Sequence, residues 1–262
     1  MRLTKLKISD VVWFAVEVLA VLIVLKYFIQ IFCLASFKVP TSSMYPTIRP
    51  GCRVFVNKWA YGARLFDVTD TVRCGDICRM PGYADPERND IVVFNDLYSK
   101  RPDSVAFHVL RYMVKRCIGL PGDTVSVVDG YYRVAGYEGE LGYVEAQRSL
   151  ARLTTDSTMM ASYGIEFKTM PYVDSVGWNV RDFGPLYVLR EGDTLVMDGL
   201  NRRLYGNVVA WEAHGDTTER VHVVKQNYYF VAGDNVAYSN DSRYWGLVPE
   251  EFVVGRVDFI KE

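Results

Sequence analysis

Residues 11–37, VVWFAVEVLAVLIVLKYFIQIFCLASF, are the most apolar stretch of the chain. Spanning the hydrocarbon of a bilayer takes about 20 apolar residues, and this run is long enough. Glu17, Lys26 and Gln30 interrupt it. A helix lying flat on a membrane gathers its polar residues on one face. At about 100° per residue, Glu17 falls roughly opposite Lys26 and Gln30, so a spanning helix is the better reading, with Lys26 snorkelling to the interface. Arg2, Lys5 and Lys7 against Asp10 favour a cytoplasmic N-terminus. The expectation is a cytoplasmic tail over 1–10, one transmembrane helix over 11–36, and everything beyond on the outer face. The competing reading is a cleavable secretory signal with small residues near Ala35, but the run is long for such a core.

A net charge of −1 gives no basic footprint, so nucleic acid is not an expected partner. Half of the 262 residues are hydrophobic, ample for a core. Cys33, Cys52, Cys74, Cys78 and Cys117 are too few for a disulfide framework. Cys74 and Cys78 lack the second pair of a zinc site, so no metal is expected. A single bond between them stays open if they lie outside the cytoplasm.

Beyond the apolar run the pattern is of strands. Residues 52–61, 90–97, 106–118, 123–128, 227–234 and 252–260 are rich in Val, Ile, Tyr and Phe between Gly, Pro, Asp and Asn. No long helical period stands out after the N-terminus. Residues 37–123 and 227–262 read as a β core. The less regular 124–226 reads as an inserted, partly β subdomain with loops.

The stretch KVPTSSMYPTIRPG, residues 38–51, sets Ser42 and Ser43 between Pro40 and Pro46. Fixed proline φ angles make a stiff turn. A serine hydroxyl needs a base before it can attack. His108, His214 and His222 sit in strand or loop settings with no sign of a triad, and no G-x-S-x-G occurs. Lysine is a known alternative base. In the strand around 112–118, Lys115 shares a face with Met113 and Cys117. Burial there lowers an ammonium pKa, and a drop of roughly two to three units gives a base near neutrality. A snorkelling edge-strand lysine is the ordinary alternative.

PTSSMYPTI, RNDIVVF, KRCIGLPGD and GDNVAYSNDSRYWGLVP resemble, in order, four sequence boxes of bacterial type I signal peptidase, the leader peptidase family of serine–lysine peptidases. Asn89 stands where the second box has Gly, and residues 124–226 match no box. The resemblance implies Ser43 as nucleophile and Lys115 as general base. It implies an oxyanion site made by Thr41, where the family usually has Ser, and the Ser43 backbone N–H. Ser239 would orient the lysine, with Asp241 and Arg243 supporting it. Ordinary turn chemistry is the plain alternative for the last three. Ser42 receives no role.

The expected fold is therefore mainly β: an N-terminal transmembrane helix, then an all-β, partly barrel-like catalytic domain carrying the inserted β and loop subdomain. The implied function is a membrane-anchored endopeptidase of the cytoplasmic (inner) membrane, removing signal peptides through an acyl-enzyme, with no cofactor. Its partners would be preproteins with small residues at the first and third positions before the cut, bound extended along a sheet edge, and the lipid bilayer. Phe37, Val39 and Met44 are expected to lean on lipid. The family's members often have two spans; this chain offers one convincing segment. Rival readings are another serine–lysine processing peptidase, of the pilus-processing or self-cleaving repressor type, and an inactive membrane-anchored β interaction protein. Oligomeric state is not legible.

Overall fold

The computed structural model describes residues 8–69, 71–97, 105, 107–153 and 156–262. The basic residues Arg2, Lys5 and Lys7 lie outside them. Helix α1, Ile8–Phe28, continues through a wider π-type turn, Ile29–Cys33. Val11–Cys33 is long and apolar enough to cross a membrane, and none of it is buried by the rest of the protein. The helical path stops there. Leu34–Lys38 form strand β1, paired antiparallel with β2, Arg53–Asn57. The sequence reading had carried the helix to residue 36. Hydropathy alone does not separate the last turn of a helix from a short apolar strand; the partner strand decides it.

After β2 come a single helical turn α2 (Lys58–Tyr61), the short pair β3 (Arg64–Leu65) and β4 (Cys78–Arg79), β5 (Ile91–Asn95) and β6 (Tyr112–Gly119). Residues 124–226 supply β7 (Thr124–Val128), β8 (Tyr131–Val134), α3 (Val144–Ala151), α4 (Ser157–Ser162), β9 (Phe183–Tyr187), β10 (Thr194–Val196), α5 (Gly199–Glu212) and β11 (Val221–Val223). The chain closes with β12 (Tyr228–Ala232), α6 (Ser242–Trp245), β13 (Val248–Pro249) and β14 (Val253–Lys261). Among the described residues, seven strands form one antiparallel sheet in the order β1-β2-β14-β5-β6-β12-β13, curled as a half-barrel. Register shifts in the β14–β2, β14–β5 and β12–β6 pairs insert bulges that bend it.

The middle segment forms a three-stranded sheet, β8-β7-β9, and the pair β10–β11. Its Val125, Phe183, Leu186 and Val208 share one buried cluster with Ile118 of β6 and Phe230 of β12. It also holds α5, a 14-residue helix that the sequence reading lacked. Asp198 caps it, accepting from the N–H groups of Leu200 and Asn201. Leu204, Tyr205, Val208, Val209 and Trp211 make its buried face. Gly199, Gly206 and the Val208–Val209 pair are poor helix formers. The helix owes its stability to the face it buries and to its cap.

Candidate active site

Ser43 lies in the turn between β1 and β2. The turn is pinned from below by Met44 and Ile48, both fully buried, and Ile48 N–H donates to the Met44 carbonyl at 2.8 Å. Val39 is also buried, in the same cluster as Met44 and Ile48. This corrects the expectation that Val39 and Met44 lean on lipid: they are the apolar underside of the turn. Phe37 packs against Tyr112 with the rings tilted at 47°, centroids 4.5 Å apart.

From the other side, the segment after β12 grips the turn. Asn235 donates its backbone N–H to the Ser43 carbonyl at 3.0 Å and its side-chain amide to the Ser42 carbonyl at 3.1 Å. Gly233 permits the approach. A Cβ there would lie 2.4 Å from the Ser43 carbonyl oxygen and 2.2 Å from the Ser239 hydroxyl. A second clamp sits behind. Asp234, 1 % exposed, accepts from both Nε and Nη2 of Arg116 at 2.7 and 2.6 Å and from the Thr47 hydroxyl at 2.5 Å. Such a fork is a rigid, charge-assisted joint.

Lys115 points inward from β6 and is 2 % exposed. Its ammonium donates to the Ser239 hydroxyl at 2.9 Å. Burial, helped by the nearby Arg243 charge, brings its pKa down to about 8, although Asp241 and Asp234 pull the other way. Among the described residues no hydrogen bond joins the Ser43 hydroxyl to Lys115.

Behind Ser239 lies a fully buried ion pair. Arg243 meets Asp241 through Nε and Nη2, both at 2.9 Å. Asp241 also accepts from the Gly233 N–H at 3.1 Å. Burial would push its carboxyl pKa up; Arg243 and Lys115 outweigh this and hold it below the usual carboxylate range. Arg243 further donates to the Val236 carbonyl at 2.7 Å, and its own carbonyl accepts from Met170 N–H at 2.9 Å. The pair thus joins the 233–243 segment to the inserted region.

Thr41, Ser43 and Lys115 line one open cleft of about 520 Å³, with Met113, Val114 and Tyr238 among its other walls. None of the three histidines lines it. His222 is held between Glu212 and Glu219 at 2.7 and 2.9 Å. The five cysteines are unpaired, and Cys74 accepts from Gln226 instead of meeting Cys78. Among the described residues no group of three or more His, Cys, Asp or Glu could hold a metal ion. The sequence reading named Ser239, which meets Lys115, and Asp241 and Arg243, which meet each other; it missed the Thr47–Asp234–Arg116 clamp. Its signal was the Gly-Asp-Asn and Lys-Arg pairs inside the boxes already quoted.

The model of the family described as signal peptidase, peptidase S26, matches residues 11–261. The chain belongs to that family. Signal peptidase I of Rickettsia rickettsii is 29% identical over 251 residues, covering 92% of this chain and 76% of the relative. That of Pseudomonas aeruginosa is 28% identical over 249 residues, covering 91% and 67%. That of Buchnera aphidicola subsp. Schizaphis graminum is 26% identical over 242 residues, covering 88% and 68%. A crystal structure of a signal peptidase I from Enterococcus faecalis aligns at 21% identity with a TM-score of 0.33, over 66% of this chain and 97% of that one. Membership of the S26 family makes the chain a serine peptidase, a hydrolase of peptide bonds. With the exposed apolar α1 it is a membrane-anchored one.

Proposed function

We propose that the chain removes signal peptides from preproteins by a Ser43–Lys115 dyad and an acyl-enzyme. The observation that carries this reading is Lys115: buried, brought down to about 8, and on the wall of the same cleft as Ser43. At that value roughly a tenth of the molecules hold the amine neutral at pH 7 and half at pH 8. The neutral amine takes the Ser43 proton as the hydroxyl attacks the scissile carbonyl. The lysine then hands the proton to the leaving amine, and a water that it deprotonates releases the acyl group. Thr41 and the Ser43 backbone N–H receive the oxyanion, each such donor being worth about 3 kcal/mol. Ser239 aims the amine, and the Asp241–Arg243 pair holds Gly233, which lies against the Ser239 side chain.

The sheet supports an extended substrate. β12 pairs with β6 from Arg116 onward, while β5 covers the opposite edge. Among the described residues, nothing pairs with the free edge of Tyr112–Lys115, which faces the cleft alongside residues 37–43. A preprotein strand added there presents alternate side chains to the walls. In this reading α1 is a single inner-membrane span, N-terminus in the cytoplasm and catalytic domain on the outer face.

The test is cleavage of a labelled preprotein in detergent. The unaltered chain cuts it; Ser43→Ala and Lys115→Met do not. Wild-type-like cutting by either variant refutes the dyad.

A further inference from the structure

A second, smaller cleft of about 120 Å³ lies where the apolar span meets the sheet. Lys58, Arg64, Ile31, Phe37, Phe66 and Tyr112 line it. The Lys58 ammonium donates to the carbonyls of Gln30 and Ile31 at 2.9 and 3.2 Å, at the end of the span. That leaves one of its three N–H donors. Arg64 spends Nη1 on the carbonyls of Glu251 and Phe252 and one Nη2 hydrogen on Asn95. Two of its five donors remain. Arg79 stands close enough to oppose the Arg64 charge. Its guanidinium is held by four backbone carbonyls, those of Tyr61, Gly62, Glu250 and Val253.

Among the described residues no carboxylate lies within ion-pair distance of Lys58, Arg64 or Arg79. Glu250 faces Arg79 and Glu251 faces both Arg64 and Arg79, but Glu250 accepts from Asn227, and Glu251 from Trp211, Gln226 and the Gly75 N–H. Arg64 thus opposes Lys58 and is itself opposed by Arg79 in partly dry surroundings, and Glu251 offsets only part of this at Arg64. Burial and then Arg79 bring the Arg64 pKa down to about 9, and burial and then Arg64 lower that of Lys58. An anion in the cleft relieves both penalties.

The surroundings say which anion. The cleft is at the height where the span ends, which is the headgroup layer. Trp59 and Leu65, the chain neighbours of Lys58 and Arg64, and Val68, two positions past Phe66, are 60%, 43% and 65% exposed. Tryptophan concentrates at that layer, and an apolar rim suits acyl chains rather than a free inorganic ion. We infer that this cleft holds the phosphate of an anionic phospholipid headgroup, gripped by Lys58 and Arg64, with the acyl chains running down the exposed face of α1. It is separate from the catalytic groups, although Phe37 and Tyr112 line both clefts.

Native mass spectrometry of the full chain in neutral detergent, titrated with phosphatidylglycerol, tests this. Lys58→Gln is expected to weaken the adduct about tenfold, the effect of one charge-assisted hydrogen bond. Lys58→Arg should restore it. Arg203→Gln, which removes one exposed positive charge on α5, should leave it within about twofold. Arg64→Gln should match Lys58→Gln if its circular dichroism is unchanged; if it does not fold, Lys58→Gln carries the test. Undiminished binding by Lys58→Gln, or an equal loss in Arg203→Gln, overturns the site. Displacement of the lipid by millimolar inorganic phosphate overturns the assignment to a lipid.

Discussion

Replacing Lys115 by Met should stabilise the protein at neutral pH while abolishing its activity. The lysine's pKa falls from 10.5 to about 8 on folding. A depressed lysine is a cost: between about pH 8 and 10.5 the unfolded chain holds a proton that the folded chain does not, so stability rises with pH across that window. Below about pH 8 the full penalty applies. It is about 2.5 units at 1.36 kcal/mol each, or about 3 kcal/mol at pH 7, and shrinks to under about 1 kcal/mol at pH 10. Methionine has a similar stem and no charge. Losing the hydrogen bond to Ser239 costs about 1 kcal/mol, but equally at both pH values. The stability difference between Lys115→Met and the unaltered chain should therefore move by about 2.5 kcal/mol in the variant's favour from pH 10 to pH 7. Urea unfolding of both proteins at the two pH values, in the same detergent, measures it. A difference that is the same at both, or that moves the other way, would mean that Lys115 is not desolvated and that the proposed base is wrong.

The pH profile of kcat/KM for preprotein cleavage should rise with an apparent pKa of about 8 as Lys115 loses its proton; a rising limb near 10 contradicts the assignment. Gly233→Ala forces its Cβ onto the Ser43 carbonyl and the Ser239 hydroxyl, which should cost about 1–3 kcal/mol and most of the turnover. Gly206→Ala on α5, with nothing within 4 Å, should instead leave turnover unchanged and add up to about 1 kcal/mol, as a denaturant titration would show. Single replacement of His108, His214 or His222 should leave turnover largely intact in any variant that folds, and a large loss in a folded variant would reopen the search for the base.

The residues of the proposed chemistry were legible because each lies in a short local run: Ser43 beside Met44, Lys115 beside Arg116, Ser239 to Arg243 in one turn. The clamp around Asp234 was not. Its partners Arg116 and Thr47 are 118 and 187 positions away, and only the fold brings them together. Strand content was clear from β-branched and aromatic runs. The facing of Val39 and Met44 was misread because a proline-rich turn has no period from which to infer it. β1 was hidden because one apolar run serves first a lipid-facing helix and then a strand. α5 was hidden by its glycines and by a valine pair that favours strands in isolation.

β1 begins at the residue after the π-type turn, with no hinge of Gly, Ser or Pro between them. Anchor and edge strand are continuous in the chain. Ser43 is ten positions past Cys33, so the hydroxyl stands no more than about 35 Å of stretched backbone from the end of the span, and less once the turn folds back. Under the proposed chemistry at Ser43, a preprotein threaded through the same membrane is gauged by length as well as by side-chain shape. Bonds too near the lipid or too far above it would pass uncut, however well their residues fitted.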